Sequence, residues 1–208
     1  MNTRDKLILF PCGGNAIEAL DCVDKAKFDI IGFVDDDKEK IGSIVCGIEV
    51  FDRSIFKDEP EALVLAVQGS PNSFRDREGI INDLVDRKRF ATVVHPKASI
   101  SEFSRLGRNC LIMEGVVLKV NSIVKDNVCI LPNTVLHHDS IIGKNSLIGS
   151  NVVIAGYSII GESCYIGSGA RIINGIKIGN RSLIGMGSNV LKDVAHDTIV
   201  AGNPAKLI

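Results

Sequence analysis

The feature that most constrains this chain is a six-residue repeat that fills its second half. From residue 100 to residue 190, every sixth residue is Ile, Leu or Val, at sixteen positions without an exception. The next position is often Gly, and the position four residues on is usually small or β-branched. A repeat with a fixed period predicts a solenoid, in which each unit buries its apolar face against its neighbours.

Six-residue units predict short strands, three of which complete one triangular coil. The aliphatic side chain of each unit points inward and stacks on its counterpart in the next coil, about 4.8 Å away. Trp is absent and aromatic residues make up only 5% of the chain, so aliphatic side chains must fill the interior. We therefore expect residues 97–208 to form a parallel β-helix with a C-terminal cap.

The first 96 residues follow a different pattern, in which short aliphatic runs alternate with helical stretches. We predict helices over about 16–27 and 72–88, and strands over 6–10, 28–34, 62–67 and 91–96. Strands that alternate with helices favour a parallel sheet with crossover connections. Residues 1–96 are therefore predicted to form a small Rossmann-like α/β domain, too short for a full dinucleotide-binding fold.

The composition argues against several classes of function. The formal net charge of −1 disfavours nucleic acid as the main partner. No apolar run approaches the roughly 20 residues of a membrane span, and the N-terminus lacks the apolar region of a secretion signal. The six cysteines show no paired spacing, so we expect reduced thiols in a cytoplasmic protein.

A His-His-Asp sequence at residues 137–139 falls at a predicted corner of the coil. A neutral imidazole near pH 7 suits a general base, and a neighbouring carboxylate can fix its tautomer. A solvated polar corner is the alternative interpretation. A zinc site of the carbonic anhydrase kind needs three converging ligands. The remaining histidines, His95 and His196, lie at opposite ends of the repeat, so we expect no metal.

Two further segments suggest ligand contacts. The turn Pro11-Cys12-Gly13-Gly14-Asn15 separates a predicted strand from a predicted helix, where backbone N–H groups can approach a phosphate. The dinucleotide pattern needs a third Gly, and Glu18 stands near that place, so an ordinary tight turn is the alternative. The closing segment 201–208 is expected to cap the β-helix, and Lys206 is expected to meet a phosphate of a long anionic cofactor.

The segments LILFPCGGNA, GFVDDD, ILPNTVLHHDSIIG and VAGNPAKLI occur in an order and at separations that resemble the PglD/NeuD family of sugar acyltransferases along the whole chain. The resemblance implies that the β-helix is left-handed and binds acetyl-CoA. It implies that the N-terminal domain binds a nucleotide-linked sugar, and that the active site forms between subunits of a homotrimer. His138 matches the catalytic base of the family and Asp139 matches its acidic neighbour.

The same resemblance assigns binding residues. Positions expected to bind the nucleotide sugar are Gly13, Gly14, Asn15, Asp35, Asp36 and Gly69. Positions expected to lie along acetyl-CoA are Leu147, Gly156, Ser168, Met186 and Lys206.

Two departures from the family pattern bear on the chemistry. Pro11 stands where the turn often has Gly, so the turn is stiffer and has one N–H donor fewer. Leu147 stands where many members have a second histidine that contacts the acetyl group, and an apolar side chain cannot donate a hydrogen bond. Gly156 lies one coil after His138, and its backbone N–H is a candidate replacement that faces the developing oxyanion.

The expected activity is direct acetyl transfer from acetyl-CoA to an amino group of a nucleotide-linked deoxy-sugar, without an acyl-enzyme. One alternative is O-acetylation of a sialic-acid-like sugar, which uses the same base on a hydroxyl group. Another is a non-catalytic module that binds a nucleotide sugar, in which Leu147 marks lost chemistry.

Overall fold

A computed structural model describes residues 4–208 of the chain, which form a small α/β part followed by a parallel β-helix. The strands of the first part are β1 (Asp5–Phe10), β2 (Phe28–Val34), β3 (Ile44–Val45), β4 (Ile48–Phe51) and β5 (Leu63–Ala66). They lie in the order β3-β4-β2-β1-β5, and all pairings are parallel except the hairpin of β3 and β4. Because β1 and β5 are parallel neighbours, the turns that follow them lie side by side.

The helices of this part are shorter than the sequence predicts. They are α1 (Gly14–Ala19), α2 (Ile55–Asp58) and α3 (Arg77–Asn82), with 3₁₀ turns at Phe74–Asp76 and Arg87–Arg89. The predicted helix over 16–27 ends early, and further along Asp24 accepts a hydrogen bond from the backbone N–H of Ala26 at 2.9 Å. Asp86 accepts in the same way from Lys88 at 2.8 Å. Such local bonds compete with helical ones.

Two strand assignments also differ from the prediction. The hairpin of β3 and β4 was missed, because its turn is Cys46-Gly47, in which both residues have positive φ, rather than a recognisable Asn-Gly pair. The strand predicted over 91–96 is only Val93–Val94, and it pairs with Leu111–Ile112 of the β-helix rather than with the first sheet.

The β-helix consists of very short strands, and along most of its length each strand pairs in parallel with the strand one coil further on. They form three sheets of six, five and eight strands. The strands are β6 (Val93–Val94), β7 (Ser99–Ile100), β8 (Arg105–Leu106), β9 (Leu111–Ile112), β10 (Val117–Leu118), β11 (Ile123–Val124), β12 (Cys129–Ile130), β13 (Val135–Leu136), β14 (Ile141–Ile142), β15 (Leu147–Ile148), β16 (Val153–Ile154), β17 (Ile159–Ile160), β18 (Tyr165–Ile166), β19 (Arg171–Ile172), β20 (Lys177–Ile178), β21 (Leu183–Ile184), β22 (Asn189–Val190), β23 (Ile199–Ala201) and β24 (Lys206–Leu207).

The interior of the β-helix is the aliphatic column that the repeat predicts. From Ile112 to Val190, every sixth residue is buried in one cluster, and Ile100 and Leu106 pack against it. Val116, Val128 and Val152 share the interior at the position four residues on. The predicted triangular coil of three six-residue units is therefore confirmed.

The corners of the coil depend on left-handed backbone geometry. Six asparagines of the β-helix have φ between +53° and +62°, a region that Asn adopts more readily than most residues. Asn109, Asn127 and Asn145 stack on one another, with side-chain amide bonds of 3.1 and 2.8 Å. These stacked corners keep successive coils in register.

The two parts of the chain share a buried junction. Asn109 accepts from the N–H of Ala66 at 2.8 Å and donates to its carbonyl at 3.1 Å, as a neighbouring strand would. The fully buried Arg77 of α3 donates to the carbonyls of Asn127 and Asn145 at 2.6 and 3.1 Å. The junction therefore fixes the turn after β5 against the β-helix. No helix in residues 4–208 is long and apolar enough to cross a membrane.

Candidate active site

His138 lies at the corner between β13 and β14, where its imidazole is held from one side. Its Nδ1 is 2.9 Å from Oδ2 of Asp139. The side chains of the two residues are 49% and 33% exposed, so the pair is open to a ligand. An ionised carboxylate only accepts hydrogen bonds, which makes Nδ1 the protonated nitrogen and leaves the lone pair of Nε2 available.

Asp139 is fixed by a second bond from the preceding coil. Its other oxygen, Oδ1, accepts from Nδ2 of Asn121 at 3.0 Å. The hydrogen bond with His138, followed by that with Asn121, holds the pKa of the Asp139 carboxyl below its usual value. The residue has a φ of 57°, and its N–H donates to the carbonyl of Val120 at 3.1 Å. The carboxylate is therefore charged at neutral pH and is held by two side-chain hydrogen bonds.

Gly156 lies against the imidazole, as its place one coil after His138 predicts. A Cβ atom built on Gly156 would stand 2.7 Å from Cε1 and 2.8 Å from Nε2 of His138. Only glycine leaves room for the ring in this position. Tyr157 lies beside it, with its ring edge-on to the imidazole at a centroid distance of 5.0 Å and an angle of 84°.

Sequence reasoning missed Asn121 and Tyr157 as parts of this corner. Both belong to the column of Asp139, in which Asn121 stands one coil before it and Tyr157 one coil after it. The same one-coil spacing that links Gly156 to His138 would have found them.

The other histidines have separate surroundings. His95 accepts from the N–H of Lys97 at 2.9 Å, and His196 accepts from the N–H of Asn180 at 3.0 Å, each through Nδ1. The side chain of His137 is exposed at the same corner as His138. Within residues 4–208, no group of three His, Cys, Asp or Glu side chains is arranged to hold a metal ion.

Four of the residues expected to bind the nucleotide sugar line one pocket of about 400 Å³, here called the glycine-turn pocket. Gly13, Gly14 and Asn15 come from the turn after β1, and Gly69 comes from the turn after β5. Nδ2 of Asn15 donates to the carbonyl of Val67 at 3.0 Å, which joins the two turns. Gly69 has a φ of 130°, so the turn after β5 requires glycine.

Asp35 and Asp36 are not among the residues that line this pocket, and both are paired within the protein. Asp35 is buried, and its carboxylate accepts from Nζ of Lys40 at 2.9 Å. The same Nζ donates to the carbonyl of Cys12 at 2.9 Å, so Lys40 connects the acidic turn to the glycine turn. Asp36 accepts two bonds from Arg53, at 2.6 and 2.7 Å.

Leu147 lies on a different face of the β-helix from His138. It is buried in β15 at the junction, and its Cδ1 would be 2.7 Å from a Cβ atom on Gly69. With Leu131, Tyr165 and the Gly69 turn it lines a cleft of about 210 Å³, here called the junction cleft. Within one chain, the junction cleft adjoins the glycine-turn pocket and not the imidazole.

The remaining residues expected to contact acetyl-CoA occupy other edges of the β-helix. Ser168 and Met186 lie on successive coils at the corner that precedes the six-stranded sheet, whereas His138 lies at the corner that follows it. Oγ of Ser168 accepts from the N–H of Ser150 at 3.1 Å, and Met186 is 75% exposed. Lys206 is exposed in β24 beside a pocket of about 530 Å³ at the C-terminal end. One chain therefore does not bring these residues to the imidazole.

Comparison with known proteins identifies the architecture. In sequence, the GMPPB C-terminal domain family matches residues 89–183, and no curated protein matches the chain. Among solved structures, the acetyltransferase domain of PglB from Neisseria gonorrhoeae, in complex with acetyl coenzyme A, has a TM-score of 0.87. It is 23% identical over 99% of this chain and 100% of its own. The chain has the fold of this acetyltransferase domain.

Two further solved structures share that fold over their whole length. PerB from Caulobacter crescentus, in complex with CoA and GDP-perosamine, has a TM-score of 0.86 and 24% identity over 98% of this chain and 97% of its own. WeeI from Acinetobacter baumannii has a TM-score of 0.83 and 22% identity over 99% and 100% of the two chains. The likeness includes the N-terminal part as well as the β-helix.

Proposed function

We propose that this protein is an acetyl-CoA-dependent N-acetyltransferase that acts on a nucleotide-linked amino-deoxy-sugar. The proposal depends mainly on His138. Its Nδ1 is hydrogen-bonded to Asp139, so that Nε2 is left as an accessible base. PglB and PerB, which share the fold, were solved with acetyl coenzyme A and with CoA plus GDP-perosamine, respectively.

The proposed reaction needs one base and no acyl-enzyme. The sugar amine attacks the thioester carbonyl of acetyl-CoA and forms the C–N bond, while Nε2 of His138 takes the proton from the nitrogen. The backbone N–H of Gly156 stabilises the negative oxygen of the tetrahedral intermediate. The C–S bond then breaks, and the CoA thiolate recovers the proton from the imidazolium. Asp139 stabilises the imidazolium that forms between these steps.

The glycine-turn pocket is the proposed site of the nucleotide. Gly13, Gly14 and Gly69 expose backbone there without side chains, and Asn15 holds the two turns together. Asp35 and Asp36 border the same end of the sheet. Since Lys40 and Arg53 already pair with them, we assign them to holding in place the turns behind the pocket. The junction cleft, with Leu147, extends the pocket toward the β-helix and suits the less polar parts of the deoxy-sugar or of the acetyl group.

We further propose that the protein is a homotrimer of left-handed β-helices with active sites between subunits. The corner row that contains His138 exposes a line of large apolar side chains, which a second copy would cover. They are Phe103, Val120, Tyr157, Ile173 and Leu191. A second copy would also bring the row of Ser168 and Met186 opposite His138, with acetyl-CoA between them and Lys206 at its phosphate end.

We place the enzyme in the cytoplasm. All six cysteines are free thiols, and five of them are buried. Sγ of Cys110 and Sγ of Cys164 donate to backbone carbonyls. Free thiols persist in a reducing compartment.

The test is acetyl transfer measured with acetyl-CoA and a panel of UDP-, dTDP-, GDP- and CMP-linked amino sugars. Thiol release should accompany an increase in sugar mass by one acetyl group on nitrogen. Acetylation of a hydroxyl group of a sialic-acid-like sugar instead would contradict the assigned acceptor. Tight binding of a nucleotide sugar without any turnover would contradict the enzyme and favour a binding module.

A further inference from the structure

The left-handed corners of the β-helix contain one aromatic residue. Tyr157 has a φ of 62°, at a type of position where this chain otherwise places mainly Asn, Asp and Gly. A bulky residue in this region is strained, and such strain persists where the surroundings impose it. Ser163 and Arg181 are the other exceptions within the coil corners of the described chain.

The surroundings of Tyr157 differ from those of the other two. Ser163 is buried, and Nε of Arg181 donates to Asp197 at 2.8 Å. Within one chain Tyr157 is 62% exposed, so packing inside that chain does not account for a large apolar ring at this corner, and the alternative of a contact between copies is tested below by assembly. The aromatic partner of that ring is the imidazole of His138.

We propose that Tyr157 is a positioning residue for His138, an inference that rests on the proposed function of His138 as the base. Gly156 lies against the imidazole, Asp139 holds Nδ1, and the tyrosine ring closes a further side at a centroid distance of 5.0 Å. Together these contacts restrict the orientation of the imidazole.

The physical consequence concerns the rate of the chemical step. A general base must be within hydrogen-bond reach of the proton that it removes, and small displacements lower the rate steeply. The edge-on contact with Tyr157 restricts the rotation of the imidazole before the substrate binds. Because the tyrosine ring acts through His138, it should affect kcat and leave the affinity for acetyl-CoA unchanged.

Two variants of Tyr157 separate this role from a structural one. Tyr157→Asn introduces the residue that six other left-handed corners of the β-helix already use, so the coil should fold and keep its thermal stability. Tyr157→Phe retains the ring. Arg181→Asn is the matched control, because it also places Asn at a left-handed corner, on a different edge of the coil.

We expect Tyr157→Asn to lower kcat by about 2- to 10-fold, the range that corresponds to loss of one aromatic pair, with an unchanged KM for acetyl-CoA. Tyr157→Phe and Arg181→Asn should retain kcat. In NMR spectra of protein with labelled histidine, the Cε1–H signal of His138 should shift and broaden in Tyr157→Asn and stay in place in Tyr157→Phe. Sedimentation should show the same assembly for all variants.

An unchanged kcat in Tyr157→Asn, with turnover lost in His138→Ala, would overturn the positioning role and leave the proposed function intact. Loss of assembly in parallel with kcat would also overturn it, because the ring would then serve a contact between copies. If the wild-type protein transfers no acetyl group, the proposed function is wrong, independently of the role of Tyr157. The NMR comparison then decides the positioning role, which an unchanged His138 signal in Tyr157→Asn would contradict.

Discussion

Asn121 and Asp139 stand one coil apart, and the amide of Asn121 donates to Oδ1 of Asp139 at 3.0 Å. Because Oδ2 of the same carboxylate is bonded to His138, neither oxygen can turn away without breaking a bond. The spacing of one coil thus places Asn121 where it can hold the carboxylate of Asp139, and that carboxylate in turn holds the imidazole of His138.

Asp139→Asn should lower kcat by about 10²-fold or more, because an amide can donate to Nδ1 and shift the proton to Nε2. Asparagine tolerates the φ of 57°, so the fold should be unchanged. Asn121→Ala is the milder companion change, and it should raise the pKa of the Asp139 carboxyl toward its ordinary value of 3.8. Kinetics and an NMR titration of the Asp139 carboxyl carbon measure the two effects. Wild-type turnover in Asp139→Asn would exclude a tautomer-fixing role.

Gly156→Ala should displace the imidazole without unfolding the coil. The new Cβ would fall 2.7–3.2 Å from three ring atoms of His138, and the exposed ring can move where backbone could not. We expect kcat to fall at least tenfold, with a thermal midpoint close to that of the wild type. Gly79→Ala, which meets no atom within 4 Å, serves as the control and should retain full activity. Equal activity in the two variants would show that the imidazole is not confined against Gly156.

Lys40→Met should destabilise the protein by about 1–3 kcal/mol, the cost of leaving a buried polar group unsatisfied, since the buried Asp35 loses its cationic partner. The double variant with Asp35→Asn should recover part of this loss in urea unfolding. The bond with Asp35 raises the pKa of Lys40 above 10.5. The stabilisation that the Lys40–Asp35 pair contributes is therefore complete below pH 10.5, and it is lost as the pH rises through the raised pKa of Lys40. Additive effects of the two substitutions would show that they do not interact.

One thiol of the native protein should react quickly with a disulfide reagent at pH 8. Burial raises the pKa of Cys22 and Cys110 to about 12 and that of Cys164 to about 11, so the reactive thiolate is scarce. Cys12 and Cys129 are also buried with a raised pKa, whereas Cys46 is exposed in the hairpin turn. Cys46→Ser should remove the fast reaction, and unfolding should expose all the remaining thiols. Any fast-reacting thiol in the native Cys46→Ser variant would contradict the burial pattern.

The sequence was sufficient to predict the coil, because the repeat determines which residues stack. The contact between Gly156 and His138 followed directly from the length of one coil. The sequence could not predict the pairing of Asp35 with Lys40 or the burial of Arg77, because those contacts depend on how long side chains reach across turns. Leu147 illustrates the same limit: it directly precedes the inward-pointing Ile148 and so points out of the coil, but only the junction with the N-terminal part shows that it is buried against Gly69.

The most direct test of the account compares acetyl transfer by the wild-type protein with that by His138→Ala on the same nucleotide-linked amino sugar. We expect turnover to fall by about 10²–10⁴-fold, because the amine loses its base, while binding of acetyl-CoA and the assembly of the protein stay the same. Undiminished turnover by His138→Ala would remove the imidazole from the reaction and contradict the central claim.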